Sequence, residues 1–363
     1  MVRVLQLLDH DAEFESRRGS EGLSHSLGAE FDVETRTIGL GGDYRDLPTA
    51  AARLRRERAT FDLVHAWGGR ALTIAALGTR RPIVFSALPE TRLKAIQWLR
   101  AVMSYRDVQV IAPTMTLRRR LVERGVGIER CHLIRPGVEF ARVRGRRDLE
   151  LRRQLGFADD DRVYLAAGES TRAASHHHAV WATGILNVVD RRQKILLWGR
   201  GPLADQAERL AHRLGQGEMI RVAEKQLRRS VEYEELLPAA DAILVPARGP
   251  VATLPTAMSM AAALPIVAAV TYTVSELLED RHTALMTPTA KPRQMAQRML
   301  DLQNDSSLQW QISDMARTEA YEFFSFTRFV NQFRNVYRQV ATGEKVEVPE
   351  DAPGAGLRFH GRA

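Results

Sequence analysis

Three arginines stand just beyond apolar, strand-length runs: Arg172 after residues 163–167, Arg200 after 195–198 and Arg248 after 242–245. In an open parallel α/β sheet, ligands sit outside the carboxyl ends of the strands. A guanidinium there presents a planar fork of donors that fits a phosphate group. Thr253 and Leu254 follow the third arginine and precede Pro255, the composition of a helix start with proline in its first turn. Such a start turns backbone N–H groups and the positive end of the helix dipole toward an anion. Arg18, Gly19 and Ser20, in a loop expected after the first strand, are a second phosphate candidate, and read equally well as a solvated loop. His176, His177 and His178 invite a metal reading. Adjacent residues point in different directions on a helix or strand, and no acidic or cysteine partner sits at ligand spacing. They read as helix-starting histidines, and no metal is expected.

The elements that must position these residues alternate along the whole chain. Strand-length apolar runs fall near residues 2–8, 63–66, 83–87, 108–112 and 132–134, then again at 163–167, 195–198, 220–223, 242–245, 266–269 and 284–286. Helix-period segments separate them, which is the pattern of parallel α/β layers. Residues 116–125 and 203–214 read as helices stopped by Gly125 and Gly215. The charged stretch 141–153 marks a linker, in which Arg152 is expected to be replaceable without consequence for ligand binding. Phe326, Phe329, Val330, Phe333, Val336 and Tyr337 make one apolar stripe on a closing helix. Beyond Thr342, proline, glycine and charge predict a disordered tail.

Composition narrows the class. With 363 residues, 45% hydrophobic and 26% charged, the chain can bury two domain cores. The formal charge of +8 is carried almost wholly by arginine, since lysine occurs only at 94, 194, 225, 291 and 345. Such a surface attracts phosphates or anionic lipid. The charges are spread along the chain with no nucleic-acid-binding motif, so no nucleic-acid partner is expected. Cys131 is the only cysteine, no apolar run reaches the roughly 20 residues of a membrane span, and MVRVLQLLDHD reads as a strand rather than a signal peptide. A cytoplasmic protein is expected. Residues 90–106 mix Leu93, Ile96, Leu99 and Met103 with Arg92, Lys94, Arg100 and Arg106 around Trp98. They read either as a helix lying peripherally on the anionic inner face of a membrane or as a surface helix with its apolar side in the core.

Several ordered motifs carry a resemblance. Phe61-Asp62-Leu63-Val64-His65-Ala66-Trp67, the run from Ile111-Ala112-Pro113-Thr114 to Arg135-Pro136-Gly137-Val138-Glu139, Leu197-Trp198-Gly199-Arg200-Gly201-Pro202, Ala240-Asp241 to Pro246, and Val274-Ser275-Glu276-Leu277-Leu278 occur in sequence. Met260-Ala261 and Leu264-Pro265-Ile266-Val267 fall between the last two of these, and Phe324-Ser325-Phe326 closes the series. Together they resemble glycosyltransferase family 4, the retaining sugar-nucleotide transferases of GT-B fold. That implies two Rossmann-like, doubly wound domains facing an interdomain cleft, with the closing helix crossing back to the first domain. The expected division is an acceptor-side domain at 1–143, a linker at 144–157, a nucleotide-sugar-side domain at 158–325, the crossover helix at 326–341 and the tail at 342–363.

The resemblance also implies a metal-independent transfer of a hexose from a UDP- or GDP-sugar to a glycan, lipid-linked or small-molecule acceptor, without a cofactor. Relatives hold the donor diphosphate with an arginine and a lysine after the second domain's first strand, and use two glutamates eight residues apart. Here those positions hold Glu169, Ser175, Pro250 and Met258. No catalytic residue is therefore assigned. Binding of the nucleotide sugar is expected to fall to Arg172, Arg200 and Arg248, with Arg18, Gly19, Ser20, Thr253, Leu254 and Glu276 around them. The missing groups keep open a second reading, a GT-B pseudoenzyme that binds a partner, glycan or nucleotide sugar without turnover.

Overall fold

The structure, a computed structural model, describes residues 1–9, 12–39, 46–57, 60–89, 91 and 93–343. The expected tail lies almost wholly outside them. The described residues form two compact units, one of residues 1–137 together with 326–343, and one of residues 138–325.

The first unit is built on strands β1 (Val2–Asp9), β2 (Phe31–Ile38), β3 (Leu63–Trp67), β4 (Ile83–Ser86), β5 (Val108–Ala112) and β6 (Cys131–Leu133). They make one parallel sheet in the order β2-β1-β3-β4-β5-β6. Strand β3, LVHAW, is buried at every position, as a strand covered by helices on both faces must be. The second unit repeats the plan with β7 (Arg162–Ala166), β8 (Gln193–Leu197), β9 (Ile220–Val222), β10 (Ala242–Val245), β11 (Ile266–Ala269) and β12 (Leu285–Thr287), in the order β12-β11-β10-β7-β8-β9. The fold class read from the alternation is the one observed.

The closing helix, Phe326–Thr342, belongs to the first unit. Its stripe of Phe329, Val330, Phe333, Val336 and Tyr337 joins Val4, Leu23, Leu63, Trp67 and Val84 in one buried cluster. One polar tie fixes its depth. The His65 ring bonds Tyr337 Oη through Nδ1 at 2.6 Å and Ser86 Oγ through Nε2 at 2.8 Å. Burial pushes the His65 pKa down to about 3, so the ring is neutral, one nitrogen donating and the other accepting.

Three expectations change. Residues 14–26 are a helix, not a loop, and Gly19 and Ser20 are buried within it. A Cβ on Gly19 would sit 2.7 Å from the Trp67 ring, so the helix reaches the sheet only because this residue has no side chain. Residues 149–154 of the supposed linker form a helix whose Arg152 is fully buried. In the helix Leu93–Met103, Ile96, Leu99 and Val102 face the core, and Trp98 Nε1 donates to Thr73 Oγ1 at 3.1 Å. Of its large apolar side chains only Leu93 is exposed, and Trp98 and Met103 pack partly buried against the core. Among the described residues no helix is long and apolar enough to cross one.

Candidate functional site

In the second unit the strand order reverses between β7 and β10: β8 and β9 extend the sheet on one side, β11 and β12 on the other. Loops leaving two such strands diverge, and the crevice they leave at the carboxyl ends is where open α/β sheets bind ligands. Arg248 N–H donates to Ala173 O at 2.8 Å, which ties the loop after β10 to the loop after β7. The latter is also tied to the loop after β8, because Ser170 N–H donates to Arg200 O at 2.8 Å and Ser170 O accepts from Leu203 N–H at 2.9 Å. Gly201 makes that approach feasible. Its φ is +95°, and a Cβ would lie 2.6 Å from Ser170 N.

Two of the three expected cations are available in this frame. Arg172 and Arg248 are exposed, and neither guanidinium has a partner among the described residues. Arg200 is different. Its Nε lies 2.9 Å from Glu224 Oε1, its Nη2 donates to Ser230 Oγ at 2.5 Å, and its guanidinium lies over the Trp198 ring. Arg200 thus differs from the other two in being engaged by its own protein.

The helix His176–Val189 starts at the same place. The His176 ring is buried, hydrogen-bonded to Ser170 Oγ at 2.8 Å and to Ala167 O at 3.0 Å, and burial lowers its pKa to about 4. Nε2 therefore carries the proton and Nδ1 accepts from Ser170, a structural role. Among the described residues, no group of three or more His, Cys, Asp or Glu side chains could hold a metal ion.

His178 is more informative. Both its ring nitrogens are shielded from solvent without a hydrogen-bond partner. Burial first, then His177 and Arg248, hold its pKa down to about 4, while burial and Arg248 lower that of His177. A neutral imidazole carries one N–H, and an anion beside Arg248 would supply the acceptor this ring lacks. The sequence pointed only to a helix-starting histidine; the nearby Arg248, seventy positions on, became visible with the fold.

Residues 148–319 match the family model for glycosyl transferases group 1. That stretch of the chain is similar to the group 1 glycosyl transferases. The chain's fold is that of GT-B glycosyltransferases. Over 93% of this chain and 99% of the other, it superposes on Anabaena Alr3699/HepE, crystallised with UDP and glucose, with a TM-score of 0.76 at 17% identity. Sucrose-phosphate synthase from Thermosynechococcus elongatus matches over 95% and 100% of the two chains at 16% identity, TM-score 0.75. WaaG, a glycosyltransferase involved in lipopolysaccharide biosynthesis, matches over 94% and 100% at 14%, TM-score 0.70. No curated protein matches the chain significantly by sequence.

The group 1 match begins inside the expected linker, consistent with the buried Arg152 anchoring that helix to the second unit. At the positions where relatives have charges, Pro250 is exposed and Met258 is a core side chain, 3% exposed. Glu169 is half-buried. Ser175 is buried in the left-handed conformation, and its hydroxyl donates to Arg172 O at 2.9 Å, which pins the loop instead of charging it. Thr253 is buried at the N-cap of the helix Leu254–Ala261, with Pro255 in its first turn. Glu276 ends the short 3-10 turn Val274–Glu276 after β11 and is half-buried. Arg18 lies in the first unit's helix, 3.9 Å from Glu21.

Proposed function

We propose that this chain is a nucleotide-sugar-dependent hexosyltransferase whose donor diphosphate is held in the β7–β10 crevice by Arg172 and Arg248. One observation carries the reading. Two arginines without protein partners flank a backbone tie between the two loops at the strand-order reversal, beside a histidine whose ring nitrogens lack hydrogen-bond partners. A UDP- or GDP-linked sugar supplies the anion such a site requires, and UDP occurs in the Anabaena structure that shares the fold. The acceptor is a glycan, a lipid-linked glycan or a small hydroxyl compound.

A second reading, donor binding without transfer, rests on Pro250 and Met258, which leave no carboxylate where relatives have theirs. Loss of one transition-state group typically costs on the order of 100- to 1,000-fold in rate. Calorimetric titration with UDP, GDP, their sugars and the bare nucleosides tests the common part: saturable binding that requires the diphosphate is expected. Equal binding of nucleosides, or none of any ligand, overturns it. Release of free sugar or glycoside from a bound donor then separates transfer from binding alone.

A further inference from the structure

The helix His176–Val189 buries Ala179, Val180, Ala182, Thr183 and Leu186 against the second unit's sheet. Its outer face is unexpectedly apolar. Trp181 is 43% exposed, Ile185 39%, Val188 67% and Val189 90%. No other described helix carries more than two large exposed apolar side chains. The spacing 181, 185, 188 is one helical stripe, with Val189 alongside its end.

The neighbouring helix, Ala204–Arg213, borders that stripe across a cavity of about 450 Å³ whose walls include Trp181, Gln206, Leu210 and Arg213. Gln206, Arg209 and Arg213 recur at spacings of three and four and are exposed. Neither Arg209 nor Arg213 has a hydrogen-bond or ion-pair partner among the described residues, and Arg209 feels only the more distant charge of Asp205. Arg191 stands exposed at the far end of the stripe. The nearby acids are already engaged: Asp190 by Arg192, and Asp205 and Glu208 by Lys225. The border of the apolar stripe is therefore net positive.

We propose that this face docks on an anionic phospholipid bilayer. Val188, Val189 and Ile185 would enter the acyl boundary, Trp181 would sit at headgroup depth, and Arg213, Arg209 and Arg191 would meet lipid phosphates. A helix with an apolar stripe, an interfacial tryptophan and a basic border binds a membrane surface in this way, and each basic residue near an anionic leaflet adds attraction. A second copy of the chain fits less well, since two such faces would set arginine borders against each other. The surface is distinct from the helix Leu93–Met103, whose apolar side is in the core.

The test is co-sedimentation of the full chain with vesicles of phosphatidylcholine alone or mixed equally with phosphatidylglycerol. Partition onto the anionic vesicles and little onto the neutral ones is expected. Val188→Asp with Val189→Asp should lower partition about tenfold or more, and the milder serine pair should fall between. Both sites are exposed, so the unfolding temperature should not move. Arg213→Glu should lower partition about tenfold, whereas Arg119→Glu, the same charge change at an exposed position of the first unit, should change it less than about twofold. A blue shift of tryptophan emission on vesicles should persist in Trp310→Phe and disappear in Trp181→Phe. Equal binding to neutral vesicles, equal losses from Arg119→Glu and Arg213→Glu, or no partition at all would overturn the proposal. So would self-association abolished by the aspartate pair in a chain that ignores vesicles.

Discussion

Replacing Arg152 by alanine should destabilise the second unit severely, although the residue sits in a stretch that reads as a linker. Its side chain is fully buried. Nη1 and Nη2 lie 3.0 and 3.1 Å from the two oxygens of Asp241, and Nη2 also donates to Asp161 O. Asp241 in turn accepts from Val163 N–H at 2.7 Å, so one ion pair joins the helix Leu149–Gln154 to the starts of β7 and β10. Breaking a buried pair by removing one partner costs about 3–5 kcal/mol, because the other charge is left behind. Asp241 keeps the Val163 amide and has Arg147 3.9 Å away, which puts the loss near the lower end, about 3 kcal/mol. For a unit of this size that corresponds to roughly 6–12 °C in melting temperature. Calorimetry should show the second unit's transition falling by that amount, and Arg152→Met with Asp241→Asn should recover part of it, since an uncharged pair strands no buried charge. An alanine variant within about 0.5 kcal/mol of wild type would refute the reasoning.

Other consequences are equally concrete. Tyr337→Phe deprives the buried His65 ring of one partner and should cost about 1–3 kcal/mol in urea unfolding, with secondary structure unchanged. His65 and His176 remain neutral in the folded chain down to about pH 3 and 4, whereas unfolded histidine takes up a proton near 6.5. The unfolded state therefore binds more protons below pH 6.5, and stability present above that pH is lost as it falls, by about 2 kcal/mol per histidine at pH 5. Urea midpoints at pH 7.5 and 5 test this, and an acid-insensitive midpoint would contradict it. Gly19→Ala drives a methyl group into the Trp67 ring and should cost about 1–3 kcal/mol, a loss that Trp67→His should relieve.

Much of this was legible in the sequence, for physical reasons that differ by residue. Strands such as β3 and β10 are continuous apolar runs because both faces are covered, and they announce themselves. β2, FDVETRTI, lies at the sheet edge with only its two end positions buried; its polar content hid it. The helix at residues 14–26 was hidden similarly, since SRRGSEG buries small residues beneath Trp67 rather than large apolar ones of its own. The Arg152 pair spans 89 positions, and no local pattern signals a partner so distant. At the site, Arg172 and Arg248 could be placed from the strand ends, whereas the engagement of Arg200 by Glu224 and the orphan nitrogens of His178 depend on side-chain geometry.

The central claim is that Arg172 and Arg248 replace the charges by which relatives hold the donor diphosphate. Calorimetric titration of UDP- and GDP-sugars into wild type, Arg172→Ala, Arg248→Ala and the double variant tests it most directly, with Arg119→Ala as an exposed arginine of the first unit. Each single variant should bind about tenfold more weakly or worse, as expected for one charge-assisted contact, and Arg119→Ala should bind as wild type does. Equal weakening by Arg119→Ala, or wild-type affinity in the double variant, would contradict the account.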